Sequence, residues 1–218
     1  CFFGVINTNG QTWTQVGSDI DGEASNDYSG TSVSFSSDGS TVAIGAGGND
    51  GNGSLSGHVR IYKKISGTWT QVGADIDGEA AGDRSGQMVS LSSDGSTVAI
   101  GAVNNIDNGS TSGHVRIYKN ISGSWTQVGS DIDGEAAGDN SGYSVSLSSD
   151  GSTVAIGALL NDGNGTDAGH VRIYKNVSGT WTQVGSDIDG GTIRDRSGSS
   201  VSLSSDGSIV AIGAWYND

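Results

Sequence analysis

Short hydrophobic–polar alternations, not helical periodicities, organise this chain. Residues 88–92 read MVSLS, with Val89 and Leu91 separated by serine. A two-residue period puts the apolar side chains on one face of a strand and the hydroxyls on the other. Thr97–Ala102 (TVAIGA) is a second strand, whose Ala99 and Gly101 leave room for a neighbouring sheet. Residues 114–119 (HVRIYK) are a third, with Val115 and Ile117 on one face and Arg116 and Tyr118 on the other. Residues 125–129 are a fourth. Ser93-Asp94-Gly95-Ser96 links the first two through a tight turn, since Asp-Gly favours positive φ. An 11-residue polar loop links the second and third, and Ile121-Ser122-Gly123 turns between the last two.

The pattern returns every 56 residues, as Trp13, Trp69, Trp125 and Trp181 show, and the units 69–124 and 125–180 agree at 43 of 56 positions. Four short strands in a unit of this length describe a propeller blade. The expected fold is all-β: a β-propeller of 56-residue four-stranded blades forming a single domain over residues 1–218. Blades are expected at about 31–73, 87–129 and 143–185, and a last one from 199–218 joined to 1–17. In that last blade residues 2–6 and 12–17 read as the third and fourth strands. Shared termini then close the ring and leave no open sheet edge. A complete chain gives four blades; a fragment would place the same register in a larger ring.

Charge and composition narrow the partners. With 24 acidic and 10 basic residues the formal charge is −14, which repels phosphate backbones and argues against nucleic acid. No apolar run approaches the roughly 20 residues of a membrane-spanning helix, so membrane insertion is not expected. The chain has 38 glycines without proline, which excludes a collagen-like repeat. The single cysteine, Cys1, allows no internal disulfide. Without an initiator methionine or signal peptide the chain reads as a processed product or a fragment. A leading cysteine also suits a processed bacterial lipoprotein, although an arbitrary starting point is the simpler reading.

The strings SGYSVSLSSDGSTVAIGA and GHVRIYKN, with SGTWTQVG and GEAAGDRSG, resemble the FG-GAP repeat, in the subtype lacking a calcium loop. The resemblance runs through every unit. It implies a propeller of the kind found in integrin α subunits and many secreted or surface proteins, and therefore an extracellular or cell-surface interaction role. Two features depart from the family. Its Phe-Gly is Ser-Gly here, at Ser29-Gly30, Ser85-Gly86, Ser141-Gly142 and Ser197-Gly198. The integrin-type calcium loop between the first two strands has shrunk to Ser-Asp-Gly-Ser, with one carboxylate where calcium takes six to eight oxygens. That metal site does not carry over.

Another loop is the better calcium candidate. Asp75, Asp77, Glu79 and Asp83 stand at relative positions 1, 3, 5 and 9, a set repeated as Asp19, Asp21, Glu23, Asp27 and as Asp131, Asp133, Glu135, Asp139; Gly191 replaces the glutamate in the last unit. Alternating carboxylates can wrap calcium; the competing reading is a solvated turn whose carboxylates accept backbone N–H bonds. In the loop between strands two and three, Asp162, Asn164 and Asp167 could add oxygens, although Asn and Gly in such loops serve positive φ. His58, His114 and His170 share one repeat position. Lying in different blades, they are too far apart to share an ion, and a blade-local packing or hydrogen-bonding role is expected. Arg60, Arg116 and Arg172, two residues on, should pair with acidic groups of the same or adjacent blade. The repeated tryptophan reads as a packing element.

No nucleophile–base pair, G-x-S-x-G elbow or Walker loop is present in the sequence, and near-identical copies do not supply the distinct environments catalysis needs. The chain therefore reads as non-enzymatic, with no cofactor other than the calcium candidate. Differences between units gather on the face carrying the acidic and NDGNG-type loops: Tyr28, Arg84, Asn140 and Arg196, with Gln87, Met88 and Tyr143, and the aromatics Trp215 and Tyr216. This face is the expected contact surface for a protein partner or for self-assembly in a repetitive surface or filament array. A lectin-like glycan binder is the alternative, and an enzyme using the central cleft the third reading. Asn52, Asn108, Asn120, Asn164 and Asn176 head N-x-S/T sequons in predicted turns or loops and are glycosylation candidates.

Overall fold

The computed structural model describes residues 4–5 and 14–217. They contain strands and turns and no helix. A hairpin of β1 (Gly4–Val5) and β2 (Thr14–Gln15) comes first. Three full blades follow: β3 (Ser32–Phe35), β4 (Thr41–Ala46), β5 (His58–Ile65) and β6 (Thr68–Gln71) with the short β7 (Ile76–Asp77); β8 (Met88–Leu91), β9 (Thr97–Ala102), β10 (His114–Ile121) and β11 (Ser124–Gln127) with β12 (Ile132–Asp133); and β13 (Ser141–Leu147), β14 (Thr153–Ala158), β15 (His170–Val177) and β16 (Thr180–Gln183) with β17 (Ile188–Asp189). β18 (Ser197–Leu203) and β19 (Val210–Ala214) end the chain.

Within each full blade the four main strands pair antiparallel in chain order, as the alternating pattern predicts. The short strand folds back on the start of the third, pairing His114 with Asp133 and Val115 with Ile132 in the middle blade. β1–β2 and β18–β19 are separate two-stranded sheets. Among the described residues no ladder joins them, so the shared closing blade is not seen assembled; part of it, residues 6–13, lies outside the described residues.

The core lies between blades. One cluster joins Val59 and Ile61 of the first full blade to Val89, Leu91, Val98 and Ile100 of the second; the next joins Val115 and Ile117 to Val145, Leu147, Val154 and Ile156. Each such side chain contributes roughly 1.5–3 kcal/mol by leaving water. The dependence on a neighbour is visible at one repeat position: Val89 is 7% exposed behind a full preceding blade, whereas Val33 is 48% exposed. The repeated tryptophan locks adjacent blades. Trp69, Trp125 and Trp181 donate their indole N–H to the carbonyls of Val16, Val72 and Val128 at 3.0, 2.8 and 2.8 Å, and their rings pack on the clusters between blades.

Two sequence features allow this close stacking. Gly101 of β9 meets Gly142 of the next unit so tightly that a Cβ on Gly101 would lie 2.2 Å from the Gly142 carbonyl oxygen; Gly45 and Gly157 meet Gly86 and Gly198 in the same way. The serines alternating along the first strands also reach across. Ser32 and Ser34 hydroxyls accept the N–H groups of Val89 and Leu91, Ser90 that of Leu147, and Ser146 that of Leu203, at 2.9–3.0 Å. The hydroxyl face of each first strand thus satisfies the next blade's backbone.

Candidate functional site at the loop end of the blades

The long loop after each second strand and the acidic loop after each fourth strand meet at one end of the blade, as the alternation of strand direction predicts. Main-chain bonds zip them together: Gly82 N–H to Ser54 O, Arg84 N–H to Leu55 O and Ser85 N–H to Ser56 O, at 2.9–3.0 Å. Equivalent bonds join Asn140 to Thr111 and Arg196 to Asp167. At these contacts, and at the matching position of the first unit, the backbone turns left-handed with ordinary side chains in place. Tyr28, Arg84, Asn140 and Arg196 have φ of 55°, 57°, 54° and 54°; Leu55, Thr111 and Asp167 have 56°, 52° and 54°. Such conformations strain non-glycine residues, yet they are held to within a few degrees while the side chains differ.

The predicted contact residues occupy this end. Tyr28, Trp215 and Tyr216 are exposed; Arg84, Gln87, Asn140, Tyr143 and Arg196 are half-buried. Four of them converge. Tyr143 meets Trp215 edge-on, with ring centroids 5.7 Å apart, and the Arg196 guanidinium stacks 5.1 Å from the Tyr216 ring centre. Tyr28 lies against Gly48, at the repeat position that holds Tyr216 in the last unit. Asn140 is turned inward, donating to the carbonyls of Val103 and Thr111 at 3.0 and 3.3 Å.

The acidic loops divide their carboxylates among separate tasks. Asp27, Asp83 and Asp139 accept the N–H groups of Ala24, Ala80 and Ala136 at 2.9–3.0 Å, the backbone bonding of the turn reading, but these three side chains are buried, not solvated. Asp19, Asp75 and Asp131 accept from Gln15, Gln71 and Gln127. Asp21, Asp77 and Asp133 offer their backbone carbonyls to the Nη2 groups of Arg60, Arg116 and Arg172. Glu23, Glu79 and Glu135 face those same arginines at 3.9, 3.6 and 3.7 Å, as the arginine pairing predicts. Among the described residues the carboxylates of one loop are not gathered on one centre. Asp75 joins Glu23 around His58, Glu79 joins Asp107 and Asp131 around His114, and Glu135 joins Asp187 around His170.

These clusters cross between units, so the linear spacing within one loop does not display them. The available signal was the recurrence of glutamate, histidine and aspartate at equal offsets in three units. Each histidine is buried. Burial holds the His114 and His170 imidazoles below their ordinary range, and the neighbouring arginine adds to this, so they are neutral near pH 7. The expected hydrogen-bonding role is not realised at these two residues, whose ring nitrogens have no hydrogen-bond partner. Burial pushes the Glu79 carboxyl up; Arg116 opposes this, while Asp131 and Asp107 add to it.

In the long loops, Asp162 accepts the Asp167 N–H at 2.8 Å and Asn164 donates to the carbonyls of Gly190 and Gly191. Asn52 and Asn108 clamp the equivalent carbonyl pairs. Three of the five sequon amides therefore brace neighbouring loops. Asn120 and Asn176 instead accept the N–H groups of Gly123 and Gly179 in the hairpin turns. A shallow groove of about 290 Å³ lies between Asp131, Ile132 and Asp133 on one side and Tyr174 and Trp181 on the other.

The FG-GAP repeat family model matches residues 130–174, from the acidic loop through most of the third full blade. Among solved structures, a protein assigned as a 6-phosphogluconolactonase from Bacteroides uniformis superposes with a TM-score of 0.58 at 15% identity, over 96% of this chain and 56% of that one. Hydrazine synthase from Kuenenia stuttgartiensis gives 0.52 at 16% identity, over 85% and 58%; Sqt1 from Saccharomyces cerevisiae gives 0.51 at 14%, over 79% and 39%. The chain thus spans little more than half the length of the first two and less of the third, and at these identities the likeness is one of fold. No curated protein matches the chain. The matched repeat, its recurrence along the sequence and the blade geometry together support an FG-GAP β-propeller.

Proposed function

We propose that the chain is a non-enzymatic, extracellular interaction propeller that makes protein contacts through the loop end of its blades, within a repetitive surface or filament assembly. One observation carries this reading. Two repeat positions keep their left-handed backbone to within a few degrees while the residue changes from Tyr to Arg to Asn, and from Leu to Thr to Asp. Main-chain bonds between Arg84 and Leu55, Asn140 and Thr111, and Arg196 and Asp167 help to hold that backbone, so side chains there can be exchanged without rebuilding the fold, as a recognition surface requires. The aromatic and arginine cluster of Tyr143, Arg196, Trp215 and Tyr216 adds the residue types enriched at interfaces. The extracellular setting rests on FG-GAP repeats being typical of extracellular proteins.

The test replaces Arg84, Arg196 and Trp215 with alanine together and measures incorporation into the native assembly. Loss of incorporation with an unchanged melting transition is expected. Incorporation equal to that of the unsubstituted chain counts against the loop end as the contact surface.

A further inference from the structure

We propose that Glu79, Asp107, His114 and Asp131 bind one divalent transition-metal ion of the zinc or manganese class, where the loops of successive units meet at the second full blade. Glu79 comes from the acidic loop before this blade, Asp107 from its long loop, His114 from the start of its third strand and Asp131 from the acidic loop after it. His114 Nδ1 lies 3.9 Å from Glu79 Oε2 and 3.8 Å from both Asp107 Oδ2 and Asp131 Oδ2. These separations are too long for hydrogen bonds. All four ligand atoms lie within 4.8 Å of one another. A tetrahedral edge is about 1.6 times the metal–ligand bond, so the three 3.8–3.9 Å edges from His114 correspond to bonds of roughly 2.3–2.4 Å, and the set must contract to reach zinc distances.

Three further observations point to a ligand. The His114 side chain is fully buried, its Nδ1 has no hydrogen-bond partner, and it faces the three carboxylates at 3.8–3.9 Å. Three carboxylates with Arg116 beside Glu79 leave two uncompensated negative charges, which a divalent ion neutralises. An imidazole nitrogen in the donor set favours a transition metal over calcium, which takes oxygen ligands.

Asp107 sets this cluster apart. The long loops begin Asn49-Asp50-Gly51 and Asn161-Asp162-Gly163 in the flanking blades, but Asn105-Ile106-Asp107 here. In the flanking loops the aspartate closes its own loop, accepting the N–H of Leu55 or Asp167. In the middle loop it moves one residue along and faces His114, and Ile106 takes its place, 63% exposed. Glu23–His58–Asp75 and Glu135–His170–Asp187 are the three-ligand versions, and we assign them weaker binding.

A matching site can be built in the third full blade. The Gly163 N–H bonds to Asn161 Oδ1 at 2.8 Å as the Asp107 N–H bonds to Asn105 Oδ1 at 2.9 Å, so the two backbones match. A Cβ on Gly163 would meet only side-chain ends, Asn161 Oδ1 at 2.9 Å and Asp189 at 3.3 Å. The test is calorimetric titration of the chelator-treated full chain with Zn²⁺ and, separately, Mn²⁺ and Ca²⁺. One tight zinc or manganese site is expected. Asp107→Gly should weaken it at least tenfold, and Gly163→Asp should add a second tight site. Asp107 is exposed, so Asp107→Gly tests the site without removing buried His114; a circular dichroism melt checks that the fold persists. Equal affinity in the unsubstituted chain and Asp107→Gly, no added site in Gly163→Asp, or binding of calcium alone would each overturn the assignment.

Discussion

The two ends of each blade solve the same problem in opposite ways. At the turn end the sequence Ser-Ser-Asp-Gly-Ser is identical in all four units, and side chains hold the backbone. Ser92 Oγ donates to Asp94 and accepts the Thr97 N–H at 2.9 Å, and Asp94 accepts the Ser96 N–H at 2.9 Å. Successive turns are also joined by Ser37 N–H to Ser93 O, Ser93 N–H to Ser149 O and Ser149 N–H to Ser205 O. At the loop end main-chain bonds join Arg84, Asn140 and Arg196 to the neighbouring long loop, while repeated side chains such as Asp83 and Asn108 brace the surrounding turns. The residue at positions 28, 84, 140 and 196 changes among Tyr, Arg and Asn with φ of 54–57°. Where a side chain is structural the repeat is frozen; where the backbone is self-supporting it is free to vary. Sequence constancy and structural regularity are therefore separate properties here.

The contrast between the ends can be broken by substitution. The largest effect should come from the glycine contact between blades. Gly101→Val forces a side chain into the Gly142 carbonyl and should cost about 3 kcal/mol or more in urea denaturation. At the turn end Ser92→Ala removes the acceptor of a buried N–H and should cost roughly 1–3 kcal/mol. At the loop end the sign reverses. Arg84→Gly relieves a left-handed φ of 57° and should be neutral to stabilising by up to about 1 kcal/mol, offset by the freer unfolded chain. A loss comparable to Ser92→Ala would show that Arg84 is structural and remove the distinction.

The smallest expected effect is a titration. Hydrogen bonds from the Ser36 and Ser204 hydroxyls, with the Ser40 and Ser208 N–H groups, lower the Asp38 and Asp206 carboxyls from 3.8 to about 2. A folded-state value below the unfolded one stabilises the fold above about pH 4, and this contribution fades as pH falls from about 4 through 2. Carboxyl NMR should find both turns titrating well below ordinary aspartates, and Ser36→Ala should raise Asp38 alone.

The blades were legible because their burial is periodic. The second strand was read at Thr97–Ala102, where β9 lies, and the first and third differ from β8 and β10 only at their C-terminal ends. The loop end was legible as variation between copies at Tyr28, Arg84, Asn140 and Arg196. Its left-handed backbone was not, because the signal for positive φ is glycine or asparagine and three of these four residues are tyrosine or arginine. The histidine clusters were hidden for another reason. Glu79 and Asp131 lie 35 residues before and 17 after His114, and only stacking of successive blade units brings them together. The spacing within one acidic loop suggested a single ion among Asp75, Asp77, Glu79 and Asp83, whereas the folded chain sends Asp75 and Glu79 to different histidines.

The most direct test of the account is hydroxyl-radical footprinting of the chain in its native assembly against the isolated chain. Both ends offer exposed reporters: Tyr28, Trp215 and Tyr216 at the loop end, and Ile65, Ile121 and Val177 on the hairpins leading to the opposite end. Protection of the loop-end aromatics is expected, while the hairpin residues react as before. Protection of Ile65, Ile121 and Val177 with Tyr28, Trp215 and Tyr216 unchanged would contradict it.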